Sequence, residues 1–316
     1  FFTGLSDKAL DIYLERAPSE LTLVTVRKEV PDEKAIELVQ DADFIMLHGN
    51  HLADSVYRSA KKVRLIQLIS AGYDNVDLKL LGELGIPVAN IGGANAQGVS
   101  ELTITLMLAV YRKLVQLETA VRQGKWIGDV VTGFNIFELA EKTVGIIGLG
   151  NIGRMVAHRL QGFDTRILGY DVTPHSYLEQ EVGIERVSLE QLLKESDIVT
   201  IHIPLLSKTK HFIGKQELNL MKDSAILINT SRGHVVDEVA LINTLQRGSI
   251  RGAGLDVFHQ EPINLDNPLL KMDNVVLTPH AAGGTYEGWF RRADFAFQNI
   301  QRIQEGKPAL SLIYPE

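Results

Sequence analysis

Three side chains that can carry charge follow successive apolar runs in the second half of the chain: Arg232, Glu261 and His280. An imidazole can take up or release a proton near neutral pH. A carboxylate beside it favours the imidazolium and raises its pKa, and a guanidinium can hold a substrate carboxylate in a bidentate fork. A histidine, a glutamate and an arginine placed together therefore suit a proton transfer that accompanies hydride transfer.

Each of these three residues also has a structural interpretation. Arg232 could form a surface ion pair, Glu261 could be a solvated loop acid, and His280 could cap a helix. If the runs before them are parallel strands of one sheet, all three side chains gather at its carboxyl edge. Joint placement after successive strands favours a functional site over three separate structural roles.

A glycine-rich stretch earlier in the chain predicts where a dinucleotide would bind. The β-branched run that begins at Thr143 leads to Gly148, Gly150 and Gly153, a helical pattern follows, and the next strand-like run ends on Asp171. The first glycine allows a tight turn, the second lets the backbone approach a pyrophosphate, and the third lets the helix pack on its strand. The helix N-terminus then faces the phosphates.

The residues around this stretch argue against two other phosphate-containing ligands, the nucleotide of a P-loop and NADP. Gly148 and Gly153 have the glycine spacing of a P-loop, but Arg154-Met155 replace the required Lys-Ser/Thr. Asp171 lies at about the distance expected of a ribose-binding carboxylate, which would repel the 2′-phosphate of NADP. No arginine follows Asp171 until Arg186. The sequence therefore favours NAD.

Short apolar runs alternate with helical patterns on both sides of this stretch, which predicts parallel sheets covered by helices. Before residue 97 the predicted strands are 21–26, 44–47, 65–69 and 87–89, and the predicted helices are 6–16, 32–39, 53–60 and 78–84. After Asp171 the predicted strands are 197–203, 225–229, 254–257 and 274–277, and the predicted helices are 189–195, 215–221, 238–247 and 286–305. The last helix, which is followed by the run 310–313, is long enough to return the chain to the first domain.

A long helical pattern from about 97 to 122 has apolar residues on nearly all of its faces. Such a helix is expected to pack between domains or between subunits, although burial inside one core is an alternative.

The bulk composition narrows the class of protein. A chain of 316 residues predicts two domains, and 45% hydrophobic with 22% charged residues is ordinary for a globular protein. A net charge of −7 argues against nucleic acid as a partner. We see no signal peptide and no apolar run of membrane-spanning length, so we expect a cytoplasmic enzyme without a membrane partner. There is no cysteine, and His48-Gly49-Asn50-His51 has no carboxylate cluster beside it, so no metal is predicted.

The chain resembles the D-isomer-specific 2-hydroxyacid dehydrogenases over nearly its whole length. Seven ordered motifs carry the resemblance: Ser70–Asp77 (SAGYDNVD), Asn90–Thr103 (NIGGANAQGVSELT), Thr143–Gly153, Ile201–Leu206 (IHIPLL), Ile228–Gly233, Asp256–Pro262 and Thr278–Gly283. The resemblance implies an α/β fold in which a Rossmann dinucleotide-binding domain, residues 98–280, is inserted into a flavodoxin-like substrate domain with a parallel sheet, residues 1–97 and 281–316.

The resemblance also assigns roles to residues. It implies that His280 is the acid/base, that Glu261 raises the pKa of His280, and that Arg232 holds the substrate carboxylate and carbonyl. The Ala71-Gly72 backbone is implied as a second carboxylate clamp, and a homodimer is implied through the helix near 97–122. The predicted NAD-binding set is Gly148, Gly150, Asn151, Ile152, Gly153, Asp171, His202, Pro204, Thr230 and Asp256.

The resemblance predicts a reductase that interconverts a small 2-keto acid and a D-2-hydroxy acid. Two positions depart from the family pattern: Gly92 stands where proline is common, and Glu141 where glycine is common. Glu261 argues against the related formate dehydrogenases, which carry glutamine there. One alternative is a phosphoglycerate dehydrogenase. The end at Glu316, without the regulatory domain of many of those enzymes, argues against it, but short forms of the enzyme occur. Another is a non-enzymatic, NAD-sensing scaffold like the co-repressors of this fold.

Overall fold

A computed structural model of the chain describes residues 1–27, 30–48, 52–126, 135–173 and 176–315. Its contacts divide the chain into two compact units, an outer one of Phe1–Asn95 with Gly284–Glu316 and an inner one of Ala96–Gly283. The sequence placed the boundaries at 97/98 and 280/281. The inner unit is therefore continuous in sequence, whereas the outer unit is made from both ends of the chain.

The outer unit begins with short strands and helices in alternation. The strands are β1 (Phe2–Thr3), β2 (Val26–Arg27), β3 (Phe44–His48), β4 (Leu65–Leu68) and β5 (Val88–Ala89). The helices are α1 (Asp7–Arg16), α2 (Asp32–Val39), α3 (Asp54–Ser59) and α4 (Leu78–Glu83). The N-terminus of α4 is fixed by Asp77, whose side chain accepts a hydrogen bond of 2.9 Å from the backbone N–H of Leu80.

The inner unit follows. It opens with α5 (Ala96–Tyr111) and α6 (Leu114–Arg122). Its strands are β6 (Thr143–Ile147), β7 (Arg166–Tyr170), β8 (Glu185–Arg186), β9 (Ile198–Ile201), β10 (Ile226–Asn229), β11 (Gly252–Leu255) and β12 (Val275–Leu277). The helices between them are α7 (Asn151–Leu160), α8 (Ser176–Val182), α9 (Leu189–Glu195), α10 (Lys215–Leu218) and α11 (Glu238–Gln246).

The chain returns to the outer unit through α12 (Tyr286–Gln304) and β13 (Leu312–Ile313). The outer sheet has the order β13-β5-β4-β3-β1-β2, in which β13 is antiparallel to β5 and the other pairs are parallel. Asn299 of α12 fastens this helix to the sheet, because its amide donates to the buried Gln67 Oε1 at 2.8 Å.

The inner sheet is parallel and has the order β12-β11-β10-β9-β6-β7-β8. The strand order reverses between β6 and β9, and in a sheet of this kind the ligand binds outside the carboxyl ends of the strands at that reversal. The middle strands β9, β10 and β11 are buried along their whole length, which explains their continuous apolar sequences.

The structure corrects two predicted elements. The single long helix predicted near 97–122 is broken, because Lys113 adopts a left-handed conformation (φ 48°) between α5 and α6. The strand predicted at 21–26 is reduced to β2, since its partner β1 spans only Phe2–Thr3 and Val24 is 52% exposed. The apolar periodicity of the sequence predicted neither the turn at Lys113 nor the short length of β1, the strand that pairs with β2.

Candidate active site

The glycine turn predicted from the sequence joins β6 to α7. Gly148 has φ 93°, a region that favours glycine, and its N–H donates to Tyr170 O at 2.8 Å. A Cβ at Gly148 would lie 2.7 Å from the carbonyl oxygen of His202, so this position is also sterically closed to other residues. The turn is therefore fixed between β7 and the segment that follows β9.

The other two glycines differ in their surroundings. A Cβ on Gly153 would collide with the carbonyl oxygen of Gly148, so only glycine lets α7 pack this closely on the turn. A Cβ on Gly150 would meet nothing within 4 Å, so the N-terminus of α7 opens onto space beside this residue. Asn151 and Ile152 form the first turn of α7. An open, glycine-lined helix N-terminus has the form and the polarity that a pyrophosphate requires.

Asp171 lies at the carboxyl end of β7, and two backbone groups orient its carboxylate. Oδ2 accepts from the N–H of Leu149, in the glycine turn, at 2.7 Å, and Oδ1 accepts from the N–H of Thr173 at 2.8 Å. The carboxylate is thus held beside the turn, where a ribose hydroxyl can reach it.

Arg186 is adjacent to Asp171 in space although it is remote in sequence. Because β8 pairs with β7, the guanidinium Nη2 of Arg186 donates to the carbonyl oxygen of Asp171 at 3.1 Å. An arginine that is distant in sequence therefore does lie beside Asp171 in space, with its guanidinium on the backbone carbonyl of that residue.

Glu261 and His280 are in direct contact. The Nδ1 of His280 lies 2.6 Å from Glu261 Oε2, and both side chains are partly open to solvent. Glu261 follows β11 and His280 follows β12, so adjacent parallel strands deliver them to the same edge of the sheet. His280 has a positive φ of 52°, and its N–H donates to Asp256 O at 2.7 Å.

The charge state of Glu261 follows from its surroundings. Burial acts to raise its pKa, but hydrogen bonds from His280 and the N–H of Phe258, together with the charges of His280 and Arg232, outweigh burial and leave the pKa below its usual value. Arg232, which follows β10, is therefore close enough to act on this carboxylate. Its own Nη1 donates to Ser231 O at 2.7 Å. The structure thus brings the predicted trio together at one sheet edge.

Asp256 is fully buried directly after β11, and its carboxylate holds the loop that carries His280. Oδ1 accepts from the hydroxyl of Thr278 at 2.6 Å and from the N–H of Ala281 at 2.9 Å, while Oδ2 accepts from the N–H of Ala282 at 3.0 Å. From the sequence, Asp256 was predicted only to bind the cofactor, and Thr278 was not predicted to belong to the site. The position of its hydroxyl, two residues before His280, could have indicated that Thr278 helps to position this histidine.

The remaining predicted cofactor residues also belong to the inner unit. The N–H of His202 donates to Ile147 O at 2.7 Å, and its Nε2 lies 3.0 Å from Thr200 Oγ1. Burial lowers the pKa of His202 to about 3, so its ring is neutral at physiological pH. Pro204 follows His202 on the same segment, and Thr230 is buried with its hydroxyl 3.0 Å from that of Thr103.

Ala71 and Gly72, the predicted second clamp, lie in the outer unit after β4. Asn90 Nδ2 donates to Ala71 O at 2.9 Å, and Ser70 Oγ donates to Gly72 O at 2.7 Å. The amide of Asn90 therefore fixes the peptide between Ala71 and Gly72. The N–H of Gly72 points away from Asn90, because the C=O and N–H of a trans peptide point in opposite directions within its plane.

Of the stretch 48–51, for which no metal was predicted, the structure describes only His48, and Gly49, Asn50 and His51 lie outside the described residues. In the described ranges no group of three or more histidine, cysteine or carboxylate residues could hold a metal ion. Likewise, none of the helices in these ranges is long and apolar enough to cross a membrane.

The inner sheet, its glycine turn and the oriented Asp171 define a dinucleotide-binding α/β unit of the Rossmann class. Comparison with known proteins gives the family. The model of the NAD-binding domain of D-isomer-specific 2-hydroxyacid dehydrogenases matches residues 104–282. The chain belongs to the D-isomer-specific 2-hydroxyacid dehydrogenase family.

Individual proteins agree with this assignment. The chain is 40% identical over 313 residues to a glyoxylate reductase of Korarchaeum cryptofilum, with 97% of this chain and 90% of that protein covered. It is 36% identical to a D-3-phosphoglycerate dehydrogenase of Methanocaldococcus jannaschii, with 93% and 56% covered. The NAD complex of a D-2-hydroxyacid dehydrogenase from Lactobacillus delbrueckii has a TM-score of 0.82 at 25% identity, with 99% and 98% covered.

The fold class and the cofactor predicted from the sequence are confirmed by these findings. The chain is an NAD-dependent 2-hydroxyacid dehydrogenase with a Rossmann unit and a second, parallel-sheet unit. The open space at Gly150 and the carboxylate of Asp171 fit NAD.

Proposed function

We propose that this enzyme reduces small 2-keto acids to D-2-hydroxy acids, with His280 as proton donor, Glu261 as its partner and Arg232 as the clamp for the substrate carboxylate and carbonyl. The observation that carries the proposal is the 2.6 Å contact between His280 Nδ1 and Glu261 Oε2, beside the charge of Arg232. When NADH is bound, it supplies the hydride.

The contact with Glu261 defines how His280 works. Because the pKa of Glu261 is low, its carboxylate is ionised and can only accept a hydrogen bond, so Nδ1 of His280 carries the hydrogen. Nε2 is then the nitrogen that exchanges a proton with the substrate oxygen. Glu261 holds the ring in this orientation and stabilises the imidazolium that donates.

Arg232 supplies the group that recognises the acid. Its guanidinium fork matches the geometry of a carboxylate and stays charged at all physiological pH values. The hydrogen bond from Nη1 to Ser231 O holds one arm of the side chain. A role for Ala71 and Gly72 as a second clamp stays a prediction.

The cofactor residues divide by the part of NAD that they would hold. Gly148, Gly150 and Gly153, with Asn151 and Ile152, would hold the pyrophosphate, and Asp171 the adenosine ribose. His202, Pro204, Thr230 and Asp256 are proposed to line the remainder of the site.

Glyoxylate is the first substrate that we propose, because a relative 40% identical over nearly the whole chain is named a glyoxylate reductase. A 36% identical D-3-phosphoglycerate dehydrogenase favours a second candidate, a phosphorylated three-carbon acid. NADH oxidation with glyoxylate, hydroxypyruvate, pyruvate and phosphohydroxypyruvate distinguishes the two. The largest kcat/KM with phosphohydroxypyruvate would contradict the first proposal, and NADH binding without turnover of any acid would favour an NAD-sensing scaffold.

The catalytic assignment is tested by His280→Ala. Loss of the proton donor should lower kcat by about 10²- to 10⁴-fold and leave the NADH dissociation constant unchanged. The matched control is His158→Ala, an exposed histidine in the last turn of α7, which should keep wild-type kcat. Near wild-type turnover by His280→Ala would refute the assignment.

We also propose a homodimer formed through α5 and α6. On α6, Leu114, Val115 and Val121 are more than half exposed, and Trp126 beyond its end is 88% exposed, which is unusual for apolar side chains. Light scattering should give a mass close to twice 35.0 kDa, and Val121→Glu should lower it. A monomeric wild-type protein would refute this proposal.

A further inference from the structure

Three imidazole rings form a stack in the inner unit. His259 is the middle ring, with its centroid 4.4 Å from that of His234 and 5.4 Å from that of His211, and both pairs are parallel within 4°. The proposed reaction uses none of these rings. Two of them are nevertheless neighbours of site residues in sequence, since His234 follows Arg232 and His259 precedes Glu261 by two positions each.

The His259 side chain links the segment after β11 to the segment after β10. Its Nε2 lies 2.7 Å from the carbonyl oxygen of Val236. Because a carbonyl can only accept, Nε2 must carry the hydrogen and donate it. The N–H of Glu238, 3.4 Å from the same nitrogen, therefore does not donate to it.

Backbone contacts reinforce this link. The N–H of His259 donates to Glu238 Oε2 at 3.0 Å, and Asn267 Nδ2 donates to the other oxygen of Glu238 at 2.9 Å. A Cβ on Gly233 would collide with the carbonyl group of Phe258, so the residue after Arg232 packs directly on the peptide that precedes His259. The segments that carry Arg232 and Glu261 are thus joined within a few residues of both side chains.

We propose that His259 is a positioning residue that holds the Arg232 segment and the Glu261 segment together, and that accumulation of protons in the His211–His259–His234 stack loosens this link. The inference rests on the proposed function, because it concerns the spacing of two residues of that site. His259 acts through these segments and need not touch substrate or cofactor.

The charged groups around the stack make the link between the Arg232 segment and the Glu261 segment depend on pH. The segment before α10 contributes Lys210 and His211, the segment after β10 contributes His234, and α11 contributes Glu238. Burial lowers the pKa of His234, the charges of His259, Lys210 and His211 lower it further, and only Glu238 opposes them. Parallel imidazolium rings at this spacing repel each other, so a second proton in the stack favours separation of the rings.

Loosening of the link by protonation of the stack can be detected in the direction of keto-acid reduction. Reduction requires a protonated His280, so acidification alone should not remove the proton donor. We therefore assign a fall in kcat/KM for reduction at acid pH to protonation within the stack. We expect wild-type enzyme to show such an acid limb.

The experiment compares His259→Ala, His259→Gln, His234→Asn and, as control, the exposed His158→Gln, from pH 4.5 to 8. His259→Ala should lower kcat by about 10- to 100-fold at all pH values, because the site residues lose their spacing, while NADH affinity is unchanged. Glutamine can still donate to Val236 O, so His259→Gln should recover most of kcat but lose the acid limb. His234→Asn should keep the wild-type kcat/KM near neutral pH and should move the acid limb to lower pH. His158→Gln should have the same pH profile as wild type.

Circular dichroism at each pH separates loss of fold from loss of activity. NMR titration of the imidazole signals tests the stack independently of turnover, and the pKa of His234 should rise in His259→Gln. Identical acid limbs in wild type and His234→Asn, wild-type kcat in His259→Ala, or an unchanged pKa of His234 in His259→Gln would each overturn the proposal. Absence of wild-type turnover with every keto acid would refute the proposed function instead, and the NMR result would still decide whether the rings are coupled.

Discussion

Arg232 illustrates how much one side chain must do at the proposed site. Arg232→Lys keeps the charge but loses the planar fork, so the KM for the keto acid should rise by about 10- to 100-fold with NADH affinity unchanged. Steady-state kinetics with glyoxylate measure this. Arg247→Lys at the exposed end of α11 is the matched control and should have no effect. Unchanged saturation kinetics in Arg232→Lys would contradict the clamp.

We expect the choice between NADH and NADPH to depend on two residues of opposite charge, Asp171 and Arg186. Asp171→Ala should weaken NADH binding through loss of the ribose contact and improve NADPH binding, because it removes the repulsion and leaves the guanidinium of Arg186 nearby. The ratio of kcat/KM for NADH to that for NADPH should fall by at least about tenfold, or about 1.4 kcal/mol. The double variant Asp171→Ala/Arg186→Ala should not show the improved kcat/KM for NADPH that is expected of Asp171→Ala. A gain that survives in the double variant would assign it to another group.

Residue types with distinct chemistry were predictable, but their shared contacts were not. Arg232, Glu261 and His280 were identified from position after strand-like runs, and the structure brings them together. The packing of His259 between His211 and His234 depends on rings that are 25 and 48 residues apart in sequence, and nothing in the local sequence reports it.

At the scale of elements, the loop after β12 is positioned by a residue from the end of β11. The three donors to the Asp256 carboxylate all come from this loop, on both sides of His280. A buried carboxylate with several hydrogen bonds to a loop fixes it more strongly than neutral acceptors would. The positive φ of His280 is thus maintained by the surrounding contacts.

Thr278→Val tests this arrangement because it removes one of the three donors. The variant should lower kcat by about tenfold, since the loop and His280 lose precision, with little change in NADH affinity. Thr165→Val is the matched control, as the hydroxyl of Thr165 donates to Leu160 O, a single local hydrogen bond away from the loop. Equal kcat in the two variants would show that the hydroxyl of Thr278 does not position His280.

Most helices and strands could be predicted because their apolar patterns are strong. The helices at Asp32–Val39 and Leu189–Glu195 have the predicted bounds. Errors arose where the decisive contact is not periodic, as at Lys113, or where the element is very short, as at β8. The missed strand β8 mattered most, because it is the element that brings Arg186 to Asp171.

At the scale of the whole chain, contacts divide the molecule into two compact units, and two domains is the number that chain length alone predicted. The order of strands in each sheet could not be read from alternation alone, because several orders of a parallel sheet satisfy the same pattern. The assignment of the outer unit to substrate binding stays a prediction.

The two units share one physical property, a histidine held neutral by burial. Burial lowers the pKa of His202 in the inner unit to about 3, and burial with the charge of Arg292 lowers the pKa of His48 in the outer unit to about 4. Since both values lie below the 6.5 of an unfolded histidine, the unfolded chain binds these protons first as pH falls. The contribution of these two neutral histidines to the free energy of unfolding is therefore fully present above about pH 6.5, and it decreases as pH falls toward 4.

The decrease in the free energy of unfolding at acid pH can be calculated from these pKa values. Each shifted histidine contributes at most about 1.4 kcal/mol per pH unit, so His202 alone should remove up to about 3 kcal/mol between pH 6.5 and 4. Urea denaturation at these pH values, followed by circular dichroism, measures the change. In His202→Gln, which does not titrate, the loss should be smaller, whereas His158→Gln, at an exposed position on α7, should follow wild type. The same pH dependence in His202→Gln and wild type would show that His202 does not control the acid stability of the inner unit.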